Sequence, residues 1–272
     1  MITSLLRAIV SLACLGLCGC SLARLEKSLL YQPAPATVGN WEPPPAIGFE
    51  EANFTAADGT ALHGWFKDVP ERRAVVLFMH GNGGNVATWA GSVHGLSDRD
   101  QVAVLVFDYR GYGKSKGLPN EAGIYADARA ARSWLAQRTG VREEDVVLLG
   151  RSLGGGVAVQ LASELPPRGL ILMNTFTSAP AAAQSFFPLV PTSWLMTQRY
   201  DSLSKIEKYN GPLLMTHGEK DKVIPVAQAK TLFNAAASSQ KQLILDPNGG
   251  HNDAPTEEYL ATLSEFWRKL GR

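Results

Sequence analysis

Cysteine is nearly missing from this sequence: three of 272 residues are cysteine, at positions 14, 18 and 20, and residues 21–272 contain none. A disulfide framework or a cysteine metal site is therefore excluded for everything beyond residue 20. Net charge is equally scarce. The 26 basic and 25 acidic side chains leave a formal +1, and no basic stripe of the kind nucleic acid requires is present. Nucleic acid is not an expected partner, and gross electrostatics do not select the substrate. No apolar run reaches the roughly 20 residues that comfortably span a bilayer. There is no internal repeat, and no low-complexity tract beyond one short proline-rich stretch.

Charge is rarest at the N-terminus. Arg7 is the sole charge before Arg24, and residues 8–17 form an almost unbroken apolar run. That length matches the core of a signal peptide, about 7–15 residues. The run ends in Leu17-Cys18-Gly19-Cys20, which resembles the lipobox of bacterial lipoproteins, with Cys20 at the lipidated position. Residues 1–20 are thus expected to be a lipoprotein-type signal segment that leaves the protein membrane-anchored outside the cytoplasm. A plain secretory signal and an uncleaved anchor are the alternatives. Pro33, Pro35, Pro43, Pro44 and Pro45 make residues 21–46 read as an extended tether.

From residue 47 to the C-terminus the pattern changes to one catalytic-sized domain. Segments 47–54 and 61–67 flank Asp58-Gly59 and suggest a hairpin. Short continuous apolar runs at 74–79, 102–107, 145–149, 170–173, 212–216 and 242–245 suit strands buried on both faces. Between them, helical stretches are expected at 85–95, 120–139, 153–164, 226–237 and 256–270. Such alternation predicts an α/β fold: a mostly parallel central sheet, flanked by helices on both faces through right-handed crossovers. Residues 175–210 break the rhythm with Pro180, Pro188 and Pro191 among Phe176, Phe186, Phe187, Trp194 and Tyr200. An insertion this long is expected to be a small lid over the substrate site; a packed surface excursion is the blander reading.

The chemistry centres on Gly150-Arg151-Ser152-Leu153-Gly154. A G-x-S-x-G match is common by chance in a glycine-rich chain, but this one follows an apolar strand and opens a helix. That is the setting of a nucleophile elbow, where a sharp turn exposes the serine hydroxyl at the C-terminal edge of the sheet. A serine needs a base, and in this architecture the order is Ser, acid, His. His251 follows the last expected strand and suits the base. The other histidines, His63, His80, His94 and His217, read as structural, with His217 the one expected near the pocket. Asp221, on the loop after the 212–216 strand, is the expected acid, with Glu219 its nearest competitor. The oxyanion requires two preorganised donors: the N–H of Leu153, and that of Asn82 in the loop His80-Gly81-Asn82-Gly83-Gly84-Asn85. A phosphate-cradling role for that loop lacks the Gly-Lys-Ser/Thr ending.

Taken together, these segments resemble the α/β-hydrolase superfamily and, within it, the BEM46-like branch near the depalmitoylase-like hydrolases. Leu62-His63-Gly64-Trp65, Asp108-Tyr109-Arg110-Gly111-Tyr112-Gly113-Lys114-Ser115, His217-Gly218-Glu219-Lys220-Asp221 and Gly250-His251-Asn252 carry the likeness alongside the elbow and the glycine loop. Leu30-Tyr31-Gln32-Pro33 extends it to about residue 28. The resemblance implies a Ser152–His251–Asp221 triad, no metal and no organic cofactor. It makes the Asp108–Ser115 segment a structural loop beside the pocket. The expected activity is hydrolysis of carboxylic-ester or thioester bonds in a small-molecule or lipid-like acyl substrate, through an acyl-enzyme. A serine aminopeptidase-like activity and a non-catalytic binding role on the same fold are the rival readings. Residues 175–200 contain no Asp or Glu with which a cap would hold a peptide amine, which counts against the peptidase. The oligomeric state is not legible.

Overall fold

The computed structural model describes residues 23–41 and 48–271. The expected signal segment, with its candidate lipidated Cys20, and part of the expected tether lie outside the described residues. The strands follow from the apolar runs. In order they are β1 (Gln32–Pro33), β2 (Glu50–Thr55), β3 (Ala61–Lys67), β4 (Ala74–Met79), β5 (Gly83–Gly84), β6 (Val102–Phe107), β7 (Val146–Arg151), β8 (Leu170–Met173), β9 (Leu213–Gly218) and β10 (Lys241–Asp246). Eight of them form one sheet in the order β10-β9-β8-β7-β4-β6-β3-β2. Within it β4 and β6 to β10 run parallel, while β3 runs against β6 and pairs antiparallel with β2.

The central strands read as unbroken apolar runs because both faces are covered. Val75, Leu77 and Met79 of β4 enter one core, and Val76 and Phe78 enter the other. Helices α3 (Glu121–Thr139), α4 (Leu153–Glu164) and α8 (Val226–Ala235) cover the first face. Helices α2 (Val86–Asp100) and α9 (Glu257–Leu270) cover the second. Helix α2 runs past the expected end at Gly95, since Leu96, Ser97 and Asp100 are buried, and stops where Gln101 turns left-handed (φ 54°). An interior glycine costs only about 1 kcal/mol, less than Leu96 gains by burial.

From β4 the chain passes to β6 on one side, then crosses back to β7 on the other. The carboxyl ends of β4 and β7 therefore border a topological switch point, where open α/β sheets bind ligands. The interval 175–210 divides. Its ends are packed, with Phe176, Tyr200, Ile206 and Tyr209 buried, and α7 (Leu203–Ile206) rests on α4. Helices α5 (Ala179–Phe186) and α6 (Thr192–Leu195) wall a cavity that also contains Ser152 and Leu153.

The tether reading requires correction for residues 23–41. Residues 23–30 form a helix, α1, and β1 pairs in parallel with β5 of the glycine loop. Tyr31 is buried, and its hydroxyl meets Gln198 Oε1 and Tyr200 Oη, each at 2.9 Å. The Glu26 carboxylate accepts the N–H groups of Thr197 and Gln198 at 2.7–3.0 Å and the Thr197 hydroxyl at 2.7 Å. Pro33 lies within β1 and Pro35 bridges to Gly113, so residues 23–41 are docked on the domain.

Candidate active site

Ser152 sits between β7 and α4 with φ 52° and ψ −117°. A non-glycine residue in such a region stores on the order of 1–3 kcal/mol, held only where the surroundings over-determine it. Here they do. The Ser152 N–H donates to Met173 O, and Ser152 O accepts from Gly155 N–H and the Thr175 hydroxyl, all at 2.9 Å. Glycine is obligatory around it: a Cβ on Gly150 would lie 2.3 Å from Gly154 O, and one on Gly154 only 2.0 Å from Met79 O. Closely packed backbones thus hold the hydroxyl out at the sheet edge.

His251 reaches that hydroxyl. Its Nε2 is 3.1 Å from Ser152 Oγ, and its Nδ1 is 2.7 Å from Asp221 Oδ2. Asp221 is buried on the turn after β9. Its other oxygen, Oδ1, accepts the N–H groups of Val223 and Ile224, each at 2.8 Å. Burial pushes the Asp221 carboxyl up, but its hydrogen bonds from His251, Ile224 and Val223 and the His251 charge outweigh that, leaving it below the usual range. Asp221 therefore stays ionised at neutral pH and holds Nδ1 as the protonated nitrogen, leaving Nε2 free to accept. Glu219, the alternative acid, lies at the surface with its Oε1 3.6 Å from Lys230 Nζ. His217 lies under the turn: its Nε2 donates to Ile224 O at 2.8 Å and is 3.4 Å from Asp221 Oδ2.

The two expected oxyanion donors flank the serine. Leu153 is the first residue of α4, where an N–H has no intrahelical acceptor. Asn82 lines the same cavity as Ser152 and Leu153. The residue is held by three hydrogen bonds: Asn82 O accepts from Gln32 N–H at 3.1 Å and Tyr112 Oη at 2.8 Å, and the side-chain Nδ2 donates to Leu30 O at 3.2 Å. The segment after β6 supports this loop, since Tyr109 Oη donates to His80 O at 2.9 Å. Asp108 acts structurally there, accepting Val86 N–H at the start of α2 at 2.9 Å. Among the described residues no group of three or more His, Cys, Asp or Glu side chains is placed to hold a metal ion.

Ser152 lies where two spaces meet. One is a cavity of about 300 Å³ walled by apolar side chains, among them Leu30, Phe176, Phe187, Val190 and Met196. The other is a wider groove of about 790 Å³ bordered by His251, Asn252, Arg151, Gln32 and Trp89. An apolar cavity and a wider groove of mixed lining on either side of a hydroxyl suit a substrate with an apolar acyl half and a separate leaving-group half.

Three contributors escape a reading of the sequence. Asn174 follows β8 with φ 47°, a conformation asparagine tolerates, and its Nδ2 donates to His251 O at 2.7 Å. Arg151, the variable residue of the elbow, donates to the same carbonyl at 3.0 Å. Leu25 and Leu29 of α1 line the apolar cavity. Only α1 had a visible signal: Leu22, Leu25, Leu29 and Leu30 recur at helical spacing.

Comparison with known proteins places the chain in a family. Residues 74–197 match the alpha/beta hydrolase fold family. YfhR of Salmonella typhimurium is 36% identical over 256 residues, covering 88% of this chain and 85% of its own. Protein bem46 of Schizosaccharomyces pombe is 30% identical over 259 residues, covering 90% and 86%. The solved esterase Pf2001 of Pyrococcus furiosus superposes with a TM-score of 0.73 at 20% identity, over 89% of this chain and all of that one. The chain belongs to the α/β-hydrolase superfamily, in its BEM46-like branch.

Proposed function

We propose that this protein is a serine hydrolase that cleaves carboxylic-ester or thioester bonds by acyl transfer. The observation that carries the reading is the unbroken hydrogen-bonded series Ser152 Oγ, His251 and Asp221 at the mouth of an apolar cavity. His251 Nε2 takes the Ser152 proton as Oγ attacks the substrate carbonyl, and Asp221 stabilises the imidazolium that forms. The Leu153 and Asn82 N–H groups face the developing oxyanion, each such donor contributing roughly 3–4 kcal/mol to the barrier. His251 then returns the proton to the leaving group, which departs into the wider groove beside it. Water, activated by the same imidazole, releases the acyl group from Ser152.

The apolar cavity suits the acyl half and excludes a charged side chain. Against a peptidase, residues 174–198 carry no charged side chain. Glu26 does line the cavity, but both its oxygens are engaged by Thr197 and Gln198. That the esterase Pf2001 shares the fold adds support for ester chemistry. A fluorophosphonate probe should label the wild type and leave Ser152→Ala unlabelled, and p-nitrophenyl esters of short to medium chain should be hydrolysed by the wild type alone. Equal labelling of both proteins would sink the assignment.

A further inference from the structure

Ten large apolar side chains are exposed among the described residues, and all but Val38 and Leu118 belong to α1 or to the α5–α6 lid. Leu189 is 96% and Trp194 90% exposed, and Phe186, Leu195, Leu25 and Leu29 are each a little over half exposed. The last four also line the cavity beside Ser152, so one set of side chains forms its wall and its outer rim. Hydrogen bonds from Thr197 and Gln198 to Glu26 join α1 to the lid, so the patch is continuous. Soluble proteins rarely leave such a patch facing water.

Three observations identify what covers it. Residues 174–198 contain no charged side chain, so the lid part of the face offers no ion pairs with which a protein partner would be selected. The segments that carry the face do hold cations: Arg24 and Lys27 on α1, and Arg199, which braces the lid by donating to Ser193 O at 2.7 Å. Basic residues on the same elements as exposed apolar and tryptophan side chains match anionic headgroups above acyl chains. Finally, the apolar run of residues 8–17 is followed by Cys20, which lies three residues before α1 begins, a span of at most about 10 Å. Anything that holds the N-terminus in lipid brings this face with it.

We propose that the face formed by α1, α5 and α6 docks on the acyl-chain boundary of a phospholipid bilayer, so that acyl groups enter the Ser152 cavity directly from lipid. Docking stands on the patch alone, while entry of substrate rests on the ester-hydrolase reading. The test uses the full chain with vesicles of phosphatidylcholine and phosphatidylglycerol, with and without bromine on the acyl chains near the glycerol. Bromine should quench tryptophan emission, and Trp194→Phe should remove at least about half of the quench, as expected for a ring buried roughly 5–10 Å into the interface. A quench unchanged by Trp194→Phe overturns docking. Leu189→Asp should slow hydrolysis of a vesicle-embedded medium-chain ester at least about tenfold, and alter p-nitrophenyl butyrate turnover less than about twofold. Equal rates on the embedded ester would overturn entry from lipid. Failure of the wild type to hydrolyse p-nitrophenyl butyrate would count against the ester-hydrolase reading and leave the quenching result standing. A vesicle-free dimer that Leu189→Asp dissolves, without a Trp194 quench, would assign the face to a second copy and overturn the proposal.

Discussion

His251 depends on two neighbours at different kinds of contact. Asp221 fixes its ring through Nδ1, while Asn174 and Arg151 fix its backbone through the carbonyl. Asp221→Asn removes the negative charge and permits the wrong tautomer, so kcat should fall by about 10⁴ while the fold stays intact. Steady-state kinetics together with a thermal melt check this; a variant within tenfold of wild type would mean that Asp221 does not orient the base. Asn174→Ala leaves the ring pair untouched but loosens the loop that presents it. Misplacement on the order of 1 Å costs roughly 10²-fold, and Arg151 still holds the same carbonyl, so a fall in kcat of about tenfold with KM nearly unchanged is expected. Ser152, Asp221 and His251 were legible in the sequence because each ends or follows a strand in the order the fold requires. Asn174 and Arg151 were not, because their roles exist only once segments 77 and 100 residues apart meet at His251.

Legibility at the scale of elements follows burial. The central strands were readable because neighbours cover both their faces, which forces continuous apolar runs. Helix α1 was not, because prolines on its C-terminal side suggest a tether, whereas Tyr31 and Glu26 dock it through contacts about 170 residues away in the chain. That docking is testable. Glu26→Ala strips Thr197 N–H, Gln198 N–H and the Thr197 hydroxyl of their acceptor, and, since Thr197 is open to water, should destabilise by about 0.5–1.5 kcal/mol. The midpoint of a denaturant titration reads the loss, and an unchanged midpoint would mean that α1 contributes nothing to the folded state. At the elbow the margin is smaller still. A methyl group on Gly154 would press on the backbone of β4, which cannot move without breaking the sheet. Gly154→Ala should therefore cost at least about 3 kcal/mol and yield little soluble protein.

For the molecule as a whole, the switch point beside β4 and β7 places chemistry where buried histidines are also needed for packing. His80 is fully buried, and His217 lies under the Asp221 turn. Burial, outweighing the nearby carboxylates and backbone acceptors, holds both below the ordinary histidine value. In the unfolded chain each takes up a proton near pH 6.5, while the folded protein resists doing so. Below that pH the unfolded state binds more protons, so stability is fully present above about pH 6.5 and declines as the pH falls beneath it. Each histidine contributes a slope of up to about 1.4 kcal/mol per pH unit between its two values. Carboxylates such as Asp221 and Glu51, held below their usual range, lose their contribution only in a lower window, beneath about pH 4. Denaturant titrations from pH 8 to pH 5 isolate the histidine window. His217→Gln keeps an N–H donor for Ile224 O but cannot protonate, and should reduce the slope in that window by about half, one of two such groups. An unchanged slope would show that the acid sensitivity arises elsewhere than beneath the Asp221 turn.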